Sequence, residues 1–114
     1  GEISATNKSF VIDHPTKPGM KLRYGSLEGP ENGVYVRGKL VDENIINLPD
    51  YWTGLVDDST ITVNLTPIGK QCNLFVDKIE KNKIYIKCGI FQKINCFYTV
   101  FAERKDIPSL KVEF

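Results

Sequence analysis

The chain has 114 residues, 41% of them hydrophobic and 25% charged, with a formal net charge of +1. That length bounds it to one domain with a small core, and the composition excludes a disordered chain. Near-neutral charge argues against a nucleic-acid partner, which needs clustered cations to displace counterions, and the longest apolar runs, about five residues against the roughly 20 that cross a bilayer, argue against membrane insertion.

In chain order, residues 1–7 read as a linker or tag remnant, with Gly1 as the scar of an excised fragment, and 8–114 as one all-β module. Short β-type runs recur between Gly, Pro, Asn and Asp clusters, the pattern of an antiparallel β-sandwich or small barrel. Strands are expected at 9–12, 21–24, 33–40, 44–48, 60–68, 73–80, 83–88, 96–104 and 111–114.

The first strand runs out at Asp13, His14 and Pro15. An Asp beside a His suits general-base work, but no strained nucleophile elbow of the GxSxG kind accompanies them. Pro15 holds His14 extended, so Asp13 and His14 are expected to tie down backbone groups at a strand exit. Glu28, Glu31, Asp57 and Asp58 lack the spacing of a calcium loop. Gly29, Pro30 and Gly33 read instead as a surface loop whose glycines supply special backbone angles before the third strand.

The run LPDYWTGLV at 48–56 breaks the alternation, and predicts a short helical turn or aromatic loop plugging the end of the sheet. Tyr51 and Trp52, with Asp50 and the loop residues Glu28, Glu31 and Asn32, form the candidate binding surface. Aromatic faces there suit a sugar, which makes a carbohydrate-binding module the second reading. From Thr60 onwards the alternation returns: Ile61, Val63 and Leu65 share one face and Thr60, Thr62, Asn64 and Thr66 the other. Leu74, Val76 and a bulged Ile79 point inward, as do Ile84, Ile86 and Cys88, with Lys81-Asn82 as a tight turn between the two runs. Lys78, Lys81, Lys83 and Lys87 form a solvated face beside Asp77 and Glu80. Phe97, Tyr98, Val100 and Phe101 are apolar on both sides, which predicts a central strand covered by a second sheet or another subunit.

Cys72, Cys88 and Cys96 are an odd set without a CxxC pair, so free thiols in a reducing compartment are expected, with no metal and no cofactor. No catalytic set is expected.

Four stretches carry a resemblance: KSFVIDHP at 8–15, LEGPENGVYVRGKL at 27–40, LPDYWTGLV leading into ITVNLTPIG at 48–69, and FYTVFAERK at 97–105. Together they resemble a module towards the carboxyl end of tail-fibre and other virion structural proteins of T-even-like marine phages, especially those of cyanobacteria. The resemblance implies a homotrimer made in the host cytoplasm and built into the virion, touching other virion proteins and a host-surface glycan or protein. In that family such modules often precede a self-cleaving chaperone domain; this chain has no matching helical segment, so no cleavage activity is carried over. An apolar surplus on the last long strand is compatible with a trimer.

Overall fold

A computed structural model describes residues 9–114; the expected linker at 1–7 lies outside them, as does Lys8. The described residues are all-β and antiparallel, with eight strands in three sheets and no closed barrel among them. β1 (Ser9–Asp13) and β2 (Lys21–Gly25) form a hairpin. β3 (Gly33–Val41) and β5 (Thr62–Pro67) flank β8 (Asn95–Glu103), while β4 (Ile45–Asn47) and β6 (Leu74–Glu80) flank β7 (Lys83–Cys88).

Period-two patterning seals the two larger sheets against each other. Val34 and Leu40 of β3 and Cys96, Val100 and Ala102 of β8 are buried, and meet Ile46, Ile84 and Ile86 of the other sheet in one apolar cluster. At Gly38 the inner layer has no side chain, and the Tyr98 ring fills the space: a Cβ there would stand 2.6 Å from the Tyr98 hydroxyl. β6 carries a bulge between Val76 and Lys78, which lets both Val76 and Ile79 face β7 residues of the inner side.

The aromatic segment does plug the sandwich. α1 (Trp52–Leu55) is a single helical turn whose Trp52 and Leu55 are fully buried, followed by buried Val56. A short 3-10 turn, Asp58–Thr60, then leads into β5, capped by the Asp57 carboxylate accepting from the Ser59 N–H at 3.0 Å. Lys81 and Asn82 both take positive φ, 52° and 61°, the twist that a two-residue hairpin turn demands. The Asn82 amide donates to the carbonyls of Leu48 and Pro49 at 3.2 and 2.8 Å, fastening this turn to the exit of β4.

Two expectations fail. Residues 111–114 form no strand, since no partner ladder lies beside them among the described residues. Nor do Gly29 and Gly33 take positive φ; Gly19 and Gly69 do. Gly29 precedes Pro30, which favours extended backbone, and Gly33 is already paired with Glu103.

Candidate functional site

The residues singled out around the aromatic segment separate into two places. The indole of Trp52 is fully buried, so it offers no face to a sugar, and that role is withdrawn. Its Nε1 donates to the Tyr24 hydroxyl at 3.1 Å, and the Tyr24 and Tyr51 hydroxyls lie 2.7 Å apart. Burial, reinforced by the Tyr51 hydrogen bond, pushes the Tyr24 phenol well above its ordinary value. Tyr51 also meets His14 edge-on at 5.3 Å between ring centres. Glu31 and Asn32 instead line a cleft with Phe10, Ser26 and Arg104, of about 150 Å³, smaller than the roughly 300–1,000 Å³ usual for ligand sites. Neither Asp50 nor Tyr51 reaches that cleft. Asp50 and Glu28 are exposed, so the six candidate residues make no common site.

His14 ties down backbone as expected: its Nδ1 accepts from the N–H groups of Thr16 and Lys17 at 3.2 and 3.0 Å. Asp13 does not share that work. Its carboxylate pairs with Lys21 across the hairpin, because both side chains point to solvent from directly opposed positions. That ion pair and hydrogen bond hold the Asp13 carboxyl below the usual range. Pro15 rests on Gly54, where a Cβ would come within 2.8 Å of the proline Cβ.

Arg104 is a residue to which sequence reasoning assigns no role. Its guanidinium lies 3.8 Å from the centre of the Phe10 ring and grips Asp106 through Nε and Nη2 at 2.9 and 2.7 Å. The Arg104 hydrogen bonds hold the Asp106 carboxyl below its ordinary value. A neighbouring aromatic and an acid two residues on are the signals that mark it. The three thiols are free; Cys96 is buried, which raises its pKa. Among the described residues no cluster of His, Cys, Asp and Glu could hold a metal, and no helix is long and apolar enough to cross a membrane.

Two of the exposed apolar surfaces among the described residues stand out. One is the outer face of the β3-β8-β5 sheet, where the register stacks three rows: Tyr35, Phe101 and Thr62; Arg37, Thr99 and Asn64; Lys39, Phe97 and Thr66. The expectation for the last strand is thus half met, with its inner side sealed and its outer side open. The other surface is the extended segment 109–114, in which Leu110, Val112 and Phe114 alternate with Ser109, Lys111 and Glu113 and are 47%, 59% and 103% exposed. Among the described residues its backbone bonds to nothing, whereas the segment's base is pinned by the Asn32 amide donating to the Pro108 carbonyl at 3.1 Å.

Sheet edges bear on the same point. β4 is only three residues long, β6 is bulged and β5 ends in Pro67, all features that blunt an edge. β3 runs nine residues without a bulge and, among the described residues, is bonded on its β8 side alone. No family model matches the chain, and no curated protein and no solved structure matches it either.

Proposed function

We propose that the chain is a non-enzymatic structural module of a phage virion, part of a tail fibre or similar appendage, that assembles as a homotrimer and meets the host surface or neighbouring virion proteins. The observation that carries this reading is the pairing of unmet needs: a period-two apolar segment at 109–114 without a ladder, and an unblunted nine-residue edge at β3. Each supplies the hydrogen-bonding groups that the other lacks, and strand addition to a free edge is an established way to join chains.

Charge favours the segment as the partner of the β3 edge. Arg37 and Lys39 on β3 repel a second β3, while the segment, with one Lys and one Glu, is neutral and can approach. Passing a segment from each copy to the next joins chains either as a reciprocal exchange in a two-fold pair or as a larger ring. The segment leaves beside Asn32, at the start of its own β3, so donor and acceptor surfaces sit side by side on each copy. The resemblance to tail-fibre modules supplies the number three. It also supplies the virion setting; the bonds from the Thr16 and Lys17 N–H groups to His14 give that residue a structural role.

Light scattering tests the reading. The full chain is expected to run as three copies, and Val112→Asp with Phe114→Asp to reduce it to one; a single copy in the unmodified chain, or three copies in the variant, overturns it.

A further inference from the structure

We infer that the cleft between the β1-β2 hairpin and the start of β3 is where segment 109–114 of a second copy docks, as a strand bonded on both of its sides. The inference rests on the assembly read above, and deepens it by making the hairpin a second partner of the incoming segment.

β2 and β3 each have an unpaired edge among the described residues, and the ladders fix which backbone groups point along it. In an antiparallel pair, opposed residues alternate between exchanging backbone hydrogen bonds and exchanging none. The His14 N–H donates to the Met20 carbonyl at 2.9 Å, continuing the β1-β2 register, so Leu22 and Tyr24 turn their backbone groups towards β1 while Arg23 and Gly25 turn theirs away. Around β3 the Arg104 N–H donates to the Asn32 carbonyl and the Asp42 N–H to the Ile94 carbonyl, both at 2.8 Å, which sets the even-numbered residues towards β8. Gly33, Tyr35, Arg37, Lys39 and Val41 therefore present their N–H and C=O groups at the open edge.

A cleft of about 340 Å³ lies between these edges, lined by Arg23, Tyr24 and Gly25 on one side and by Gly33, Val34 and Tyr35 on the other. Inward and outward residues of both strands line it, so it opens on the strand edges and not on a face of either. Its inner wall is Val34 and Tyr24, which belong to the apolar cluster, and its outer wall is Arg23 and Tyr35, both exposed. A strand of alternating character matches that division: Leu110, Val112 and Phe114 face in, and Ser109, Lys111 and Glu113 face out.

The chain's own end stands near the mouth of the cleft. Gly25 and Gly33 also line the smaller cleft beside Asn32, and the Asn32 amide holds the Pro108 carbonyl. The segment of the same copy nonetheless stays outside, with Leu110, Val112 and Phe114 exposed, and exchange between copies satisfies cleft and segment together. A strand already held in a sheet has at most one free side. This cleft takes a strand free on both, which 109–114 is among the described residues.

Amide hydrogen exchange followed by NMR on the full chain, run beside light scattering, tests the inference. The amides of Arg23 and Gly25 and those of Gly33 and Tyr35 are all expected to exchange at least about tenfold slower in the unmodified chain than in the variant with Val112→Asp and Phe114→Asp, because bonded amides are protected and open edges are not. In a mixture of labelled and unlabelled copies, isotope-filtered contacts from the Val34 methyls to Leu110 or Val112 are expected between copies. Fast exchange at Arg23 and Gly25, protection that persists in the variant, or filtered contacts within one copy alone overturns the inference. Three copies with Gly33 and Tyr35 protected but Arg23 and Gly25 fast sink the two-sided cleft and leave the assembly standing. A two-fold pair with all four amides protected does the reverse, and a single copy sinks both.

Discussion

The Trp52 indole donates to the hydroxyl of Tyr24, 28 residues earlier, at 3.1 Å. This bond joins the helical turn that plugs the sandwich to the β1-β2 hairpin, and Tyr24 passes the connection on to Tyr51. The hairpin shares no ladder with either large sheet, so side chains must hold it.

Tyr24→Phe leaves the Trp52 N–H buried without an acceptor, which costs about 1–3 kcal/mol; urea unfolding measures it. The same residue sets a pH dependence. Because the folded state raises the phenol above its ordinary value of 10.0, the unfolded chain loses this proton first. Stability is whole below pH 10 and declines as pH climbs beyond it. In Tyr24→Phe this part of the alkaline decline is expected to vanish.

Asp106 gives the opposite dependence. Its carboxyl is held below 3.8 by the Arg104 guanidinium, so the unfolded chain takes up the proton first as pH falls. The contribution is present above about pH 4 and disappears as the solution is acidified through the folded-state value. Asp106→Asn is expected to lower stability at neutral pH and to flatten the acid limb of a denaturation series.

Gly54→Ala drives a methyl into Pro15. Overpacking of this kind costs about 1–3 kcal/mol. The loss is expected to shrink in a Pro15→Gly background, and a double-mutant cycle by thermal unfolding reads the coupling.

Asn82→Ala removes two hydrogen bonds and leaves at φ near 61° a residue without asparagine's tolerance of the left-handed region. Asn82→Gly loses the bonds but keeps an easy turn. Alanine is expected to cost about 1 kcal/mol more than glycine, from the strain alone, and equilibrium unfolding of the pair checks the order.

Much of the fold was legible because burial in a strand repeats every two residues. The inward set Ile84, Ile86 and Cys88, the bulge before Ile79 and the Lys81-Asn82 turn are local patterns, and local patterns are written in neighbouring residues. Trp52 was readable as part of a plug but not as a buried donor, since its acceptor comes from a distant hairpin. The rows on the outer face join residue 35 to residue 101, so no window of sequence displays them. Residues 111–114 have a strand's alternation and misled for a physical reason: period two describes side chains, whereas a strand also needs a neighbour for its backbone.

Sedimentation equilibrium of the unmodified chain at micromolar concentration puts the assembly to the most direct trial. The account predicts a single species of three times the 12.9 kDa chain mass. A species of 12.9 kDa, or a two-fold pair, would contradict it.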